Sequence, residues 1–463
     1  MISALAFDAD LLRRYDRPGP RYTSYPTAPQ FSADFGVDAL HRAIQDSNGD
    51  PIPRRLSIYV HVPFCLSPCF YCGCNRIITR DKTRADTYLK HLYREIAMIA
   101  PLFDRDRDVI QLHFGGGTPN FLTPAQLHDT VDLLKRQFKF SDAGDRDISI
   151  ELDPRTVSPQ DIAELALAGF NRASLGVQDF DPEVQEAVNR IQGVEQTRAV
   201  VDACRTHGFR SINIDLIYGL PKQSLAGFAR TLDTVIAMRP DRLAVYSYAH
   251  LPEMFKAQGQ LDADALPDPE TKLALLQLAI ETLTAAGYVY IGMDHFALPD
   301  DELAQAQQRG GLHRNFMGYT THADSDLIGL GVSSISHIGD SYSQNPRDLP
   351  SWQSALDAGR LPVFRGMILS EDDQLRADLI QQLMCQGEIP ISALERRYGI
   401  HFQDYFADAL EQLRPLQADG LAIVGPKRIE VTARGRLLMR NIAMCFDRYL
   451  QPSAPASRFS KTI

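Results

Sequence analysis

The chain has 463 residues, 44% of them hydrophobic and 23% charged, which is the composition of an ordinary globular protein long enough for two or three domains. With 58 acidic against 48 basic side chains the net charge is −10, and this weakens any case for general nucleic-acid binding. The first 20 residues carry scattered charges and no apolar core of signal-peptide length, and no later run approaches the ~20 apolar residues of a membrane span, so a cytoplasmic protein is expected.

In chain order, the first chemical feature follows a strand-like run, LSIYVHV (56–62). The stretch HVPFCLSPCFYCGCN (61–75) holds four of the seven cysteines: Cys65, Cys69, Cys72 and Cys74. In a reducing compartment, thiols crowded in this way point to metal or redox chemistry and not to a disulfide framework. Zinc is one reading, although structural zinc sites usually pair a short CxxC unit with a second, distant pair, which this chain lacks. An iron-sulfur cluster is the other, since it suits thiolates from a compact run, and three ligands to a four-iron cube would leave one iron open. Cys204, Cys385 and Cys445 stand alone in helix-like surroundings, where a small buried hydrophobe is expected.

Further strand-like runs follow at VIQLHF (109–114), ISIEL (148–152), ASLGV (173–177), SINIDLI (211–217) and RLAVYSY (242–248). Helical patterns alternate with them, as in residues 84–100, 124–138 and 224–238, where apolar residues recur at spacings of three and four. Six successive strand-helix units predict a parallel, closed or nearly closed α/β sheet with helices outside and chemistry at the carboxyl ends of the strands. Those ends carry the cysteine loop, GGGTP (115–119), ELDPR (151–155), QDF (178–180), YGLPKQ (218–223) and AHLP (249–252). Their concurrence on one rim predicts an active site.

The last hundred residues change character. Helical patterns from residue 370 onward give way to LAIVGPKRIEVT (421–432), which predicts a hairpin about Gly425 and Pro426 and a winged-helix-like shape. Lys427, Arg428, Arg434, Arg436 and Arg440 form a locally basic group there. The expected division is an N-terminal arm (1–50), a catalytic domain (51–365) and a mostly helical C-terminal domain (366–463).

The run C-x3-C-x-Y-C beside GGGTP resembles the signature of the radical S-adenosylmethionine (SAM) superfamily. That resemblance implies a partial (β/α)6 barrel, and a 4Fe-4S cluster held by three cysteines whose fourth iron binds the amino acid end of SAM. The fourth cysteine narrows the likeness. Together with GPRYTSYPTAPQF (19–31), IELDPR, GVQDF, NIDLIYGLPKQ, GMDHFA, HRNFMGYTT and MCFDRYL, it makes nearly the whole chain similar to the oxygen-independent coproporphyrinogen III dehydrogenase family of haem biosynthesis.

The family resemblance implies roles position by position. Cys65, Cys69 and Cys72 match the cluster ligands, and Cys74 a family cysteine that does not ligate the cluster. Tyr59, Gly116, Glu151 and Ile335 match contacts to a first SAM; Tyr71, Gly117, Thr118, Gln178, Arg190, Asp215 and Ala249 match contacts to a second. Cys74, Tyr59, Glu151 and Phe316 are the expected catalytic residues, Phe316 packing against the adenine or the tetrapyrrole. The glycines are expected to let a ligand approach the backbone, Glu151 and Asp215 to accept from ammonium or hydroxyl groups, and Arg190 to donate to a carboxylate. Arg21 and Arg314 are candidate partners for substrate propionates, while Met317 and His322 stand where the family pattern has Gln.

The implied reaction converts two propionates of coproporphyrinogen III to vinyl groups in a monomer, with an outside reductant and electron acceptor and no nucleic-acid or membrane partner. The alternative is a haem-binding or haem-transfer relative without that activity.

Overall fold

The computed structural model describes residues 5–450 and 461–462. The chain divides into two compact units, one of Phe31–Thr282 with Asp324–Ile368, the other of Met1–Gln30, Leu283–Ala323 and Leu369–Ile463.

The larger unit begins with α1 (Val37–Asn48) and then alternates strands with helices. The series runs β1 (Arg55–Val62), α2 (Thr83–Ile99), β2 (Asp108–Gly116), α3 (Pro124–Gln137), β3 (Asp147–Leu152), α4 (Pro159–Ala168), β4 (Arg172–Gln178), α5 (Val194–Thr206), β5 (Ser211–Tyr218), α6 (Leu225–Met238) and β6 (Arg242–Ser247). All six strands are parallel and lie side by side in chain order. The expected strands and helices are all present, within a residue or two of their sequence-derived bounds.

The physical reason is burial on both faces. A parallel sheet covered by crossover helices needs near-continuous apolar strands; Leu56, Ile58, Val60 and Val62 of β1 and Val109, Ile110, Leu112 and Phe114 of β2 are fully shielded. The helices supply one apolar stripe each. In α2 the buried set Ala85, Tyr88, Leu89, Leu92, Glu95, Ile96 and Ile99 keeps the three-and-four spacing of a single face. Capping boxes start α3 (Thr123 with Gln126) and α4 (Ser158 with Asp161), both with Pro at the first helical position.

One part of the sheet was not legible in the sequence. β7 (Ser325–Leu330) pairs in parallel with the free side of β1, and β8 (Ile335–Ile338), β9 (Ser341–Gln344) and β10 (Arg365–Ile368) extend it in antiparallel fashion. These are short runs of four to six residues, too brief for a clear period. Thus β1 is an interior strand, with Tyr59 in register between His113 of β2 and Gly329 of β7.

In the smaller unit, helices Glu371–Gln386, Ile391–Tyr398 and Ala407–Ala418 precede the expected hairpin, Ala422–Val424 with Ile429–Val431, which adds Glu388–Ile389 as a third strand. The basic group there does not form a free cationic face: Arg428 pairs with Glu430, Arg434 with Asp8, and Arg436 and Arg440 are buried. The isolated Cys204, Cys385 and Cys445 are all buried, as their surroundings predicted.

A buried ion pair locks the far end of the sheet in the larger unit. Arg107 Nη2 lies 2.7 Å from Asp326 Oδ2 of β7, and the Asp326 side chain is fully shielded. The same arginine donates to Asn48 Oδ1 of α1 at 2.9 Å, and Asp326 accepts from Gly339 N at 3.1 Å. Arg107→Met leaves the buried Asp326 with only the more distant Arg54, at 3.8 Å, as a cation, and is expected to cost about 3 kcal/mol in denaturant unfolding, whereas Arg107→Met with Asp326→Asn recovers most of the loss.

Candidate active site

The carboxyl ends of β1 to β5 open onto a cavity of ≈ 310 Å³ lined by Cys65, Cys69, Cys72, Cys74, Tyr71, Gly116, Gly117, Thr118, Glu151, Gln178, Arg190 and Asp215. Twelve of the expected site residues therefore share one wall system. Tyr59 stands just beneath on β1, its ring stacked on His113 at 5.8 Å and its hydroxyl 3.0 Å from His61 Nδ1. Ile335 opens β8, where its backbone presses against Gly329 so closely that any Cβ there would collide. Ala249 follows β6, and Phe316 sits at the turn between His313–Asn315 and Gly318–Thr320 in the smaller unit.

The cysteine loop is held from several sides. Arg76 donates to the carbonyls of Cys69 (3.2 Å), Cys72 (3.1 Å) and Cys74 (3.4 Å), so one guanidinium gathers the turn around itself. Asn189 Nδ2 donates to Pro68 O at 2.7 Å and Gln258 Nε2 to Tyr71 O at 3.0 Å. None of these three residues was singled out from the sequence. Arg76 lies only two positions beyond Cys74, and a cation so close to four thiols was the available signal.

Donors also reach the sulfurs. Thr118 Oγ1 lies 3.3 Å from Cys65 Sγ, Arg190 Nη1 3.4 Å from Cys69 Sγ and Arg155 Nη2 3.7 Å from the same sulfur. Asp153 binds both arginines, at 2.7 Å to Arg155 and 3.4 Å to Arg190. Burial opposes the Asp153 charge, but Arg155 and Arg190 outweigh it and hold the carboxyl below its ordinary range. Arg190 is raised overall: burial works against its charge, and Tyr71, Asp153 and Cys69 favour it more strongly. Its Nε, shut off from solvent, has no hydrogen-bond partner among the described residues, as a donor awaiting a ligand would.

Electrostatics separate the thiols. Burial pushes Cys65 up to about 11, while a hydrogen bond from the Cys74 side chain brings Cys72 down to about 6 and drives Cys74 upward. A coordinating metal centre deprotonates its thiol ligands outright, and the donors from Thr118, Arg155 and Arg190 suit the thiolate form.

The glycine run is also packed tightly from within the protein. A Cβ on Gly115 would lie 2.9 Å from Glu151 Oε1, one on Gly117 2.8 Å from the Pro63 backbone, and Gly116, at φ +117°, would meet the His61 ring at 2.7 Å. The protein's own groups fill that space, so glycine is required by internal packing before any ligand arrives. Glu151 is fixed by it: Gly116 N donates to Oε2 at 3.2 Å, and His113 Nε2 lies 3.3 Å from Oε1. At the end of β4, Gln178 has φ +72°, a left-handed conformation uncommon outside glycine, which coincides with a register shift against β5. Asp215 is pushed up to about 6, chiefly by burial and then by the Glu151 charge, with Asn213 and Ser174 hydrogen bonds opposing.

All-sulfur ligands on one loop, with hydrogen-bond donors aimed at the sulfurs, fit an iron-sulfur cluster.

Residues 59–235 match the Radical SAM superfamily, so the barrel and its cysteine loop belong to that class, which brings a 4Fe-4S cluster and SAM with it. Residues 369–438 match the HemN C-terminal domain. The chain is 53% identical to the oxygen-independent coproporphyrinogen III oxidase of Pseudomonas aeruginosa and 49% identical to that of Escherichia coli, each across 100% of both chains. It is also similar to the solved Escherichia coli coproporphyrinogen III oxidase, described as a radical SAM enzyme, with a TM-score of 0.91 and 49% identity over 96% of this chain and 100% of that one. The chain belongs to the oxygen-independent coproporphyrinogen III oxidase family and is a radical SAM enzyme. No helix among the described residues is long and apolar enough to cross a membrane.

If Arg76 organises the loop, Arg76→Ala should leave the barrel folded and weaken cluster retention. Loss of iron to a chelator, followed at the cluster's visible absorbance, is expected to be about 10–100 times faster than in the parent protein.

Proposed function

We propose that this chain oxidatively decarboxylates two propionate side chains of coproporphyrinogen III to vinyl groups, giving protoporphyrinogen IX in oxygen-independent haem biosynthesis. The observation that carries the reading is the full-length identity to enzymes of that name, 53% and 49%, in a chain whose cysteine loop, glycine run and Asp215 line one cavity. Per propionate, one hydrogen atom, carbon dioxide and one electron leave, and the electron goes to an outside acceptor.

In this reading Cys65, Cys69 and Cys72 hold one 4Fe-4S cluster, and two SAM molecules bind beside it. The cluster's chemistry is to supply the electron that converts SAM into a hydrogen-abstracting reagent. The chain's own residues bind and position. Thr118, Arg155 and Arg190 stabilise the thiolates, and Arg190 offers its unpaired Nε to a carboxylate. Glu151, fastened by Gly116 N and His113, presents a fixed acceptor to an ammonium group. Tyr59 and His113 stack beneath it and hold its side of the cavity rigid. Cys74, whose side chain is hydrogen-bonded to Cys72, is the thiol left in this reading for a role beyond ligation.

The test is an anaerobic assay of reconstituted protein with coproporphyrinogen III, SAM, a low-potential reductant and a candidate acceptor, following tetrapyrroles and methionine together. Protoporphyrinogen with matching SAM cleavage is expected. SAM cleavage without decarboxylation, whatever acceptor is supplied, would point to a radical enzyme of another substrate, and no cleavage by an intact, reducible cluster would favour the haem-transfer alternative. A Cys74→Ser variant is expected to keep its cluster and lose most turnover. Because Asp215 ionises only above about pH 6, SAM binding should weaken as pH falls through 6 in the parent protein. Asp215→Asn should bind about tenfold less tightly at pH 8 and show a flat profile in equilibrium dialysis.

A further inference from the structure

The smaller unit contains a group of charges that the cysteine-lined cavity does not use. Arg314, in strand His313–Asn315, is only 6% exposed, and its guanidinium carbon lies 4.7 Å from the ring centroid of Tyr319 on the paired strand. Its Nε and Nη1 are closed to solvent and have no hydrogen-bond partner among the described residues. An aromatic face offsets part of the cost of burying a cation, but it is not an acceptor for two N–H groups.

A second buried guanidinium stands close by. Arg440, also 6% exposed, donates to the carbonyls of Pro20 (2.9 Å), Gly19 and Lys461 (3.2 Å), all neutral. Burial pushes it down to about 10, with Arg21 and Arg314 adding repulsion and Asp294 opposing them. Arg21 forms an ion pair with Asp294 at 3.0 Å. Asp447, the other carboxyl of this region, takes a hydrogen bond from Tyr22 and has Arg376 as its neighbouring cation. Among the described residues, the buried guanidiniums of Arg314 and Arg440, with the partly exposed Arg21, thus act in the neighbourhood of the Asp294 carboxylate.

A net excess of buried positive charge is costly unless an anion joins it. We propose that Arg314, with Arg21 and Arg440, forms an anion-binding cluster that takes a carboxylate of the tetrapyrrole substrate. This inference rests on the substrate assigned above and deepens it by naming the group that recognises a propionate. A guanidinium with vacant donors matches a carboxylate in charge. Because both donors are closed to solvent, occupancy requires the Arg314 guanidinium to swing off the Tyr319 ring, a movement that two charge-assisted hydrogen bonds stabilise. Sequence alone offered Arg21 and Arg314; Arg440 joins them only through the fold.

The test is a fluorescence titration of the full-length, cluster-loaded protein with coproporphyrin III, the stable oxidised form, and with its tetramethyl ester. Arg314→Met is expected to weaken binding of the acid at least tenfold, with Arg314→Lys recovering part of it. The ester should bind the parent and Arg314→Met proteins equally. A merely structural arginine predicts something else: a melting temperature that changes in Arg314→Met while acid binding does not, and that result would overturn the proposal. Equal binding of acid and ester by the parent protein would overturn it too. If Arg314→Met does not fold, Arg314→Lys and Arg21→Gln carry the same comparison. Turnover of coproporphyrinogen by the parent protein tests the substrate assignment separately, so a productive enzyme with indifferent variants, or with no binding of the acid, sinks the cluster alone, and absent turnover together with absent binding in the parent sinks both.

Discussion

Parallel pairing around β1 is the constraint on which the rest of the larger unit depends. Because β1 to β5 run the same way and in register, their carboxyl ends deliver the cysteine loop, Gly116, Glu151, Gln178 and Asp215 to one cavity. A strand entering in the opposite direction would send its loop to the other end of the sheet. Register matters as much as direction, since a slip of one residue reverses every side chain. Tyr59 faces the site only while it stays opposite His113 and Gly329.

Within that frame, the site is an electrostatic balance. Thiols that must lose their protons meet Arg155 and Arg190, and both arginines are tethered by Asp153. The acidic wall is treated differently. Burial, and then the Glu151 charge, raise Asp215 to about 6. One side of the cavity thus favours anions and thiolates, and the other holds acceptors. A zwitterionic ligand with an ammonium, a carboxylate and ribose hydroxyls has complementary partners on both.

Much of this was legible in the sequence because apolar runs and motif positions are local facts. Six parallel strands, their helices, the cysteine loop and the rim motifs followed from spacing and alternation alone. The extension beyond β1 did not, because β7 to β10 are short, and their pairing is set by tertiary contact. The internal packing of the glycine run was hidden for the same kind of reason: only the folded chain shows Glu151, His61 and Pro63 in the space a Cβ would take. Arg76, Asn189 and Gln258 act through side-chain bonds to loop carbonyls, a role that leaves no periodic mark. In the smaller unit, the locally basic group is partly internal, with Arg436 and Arg440 buried against backbone carbonyls, which the sequence pattern does not mark.

The most direct test of the central claim is isotopic. Coproporphyrinogen III deuterated at the propionate carbons next to the ring would be turned over anaerobically, and the 5'-deoxyadenosine from SAM examined by mass spectrometry. Deuterium in that product, in step with vinyl formation, is the expected result. Vinyl products accompanied by unlabelled 5'-deoxyadenosine would contradict the account.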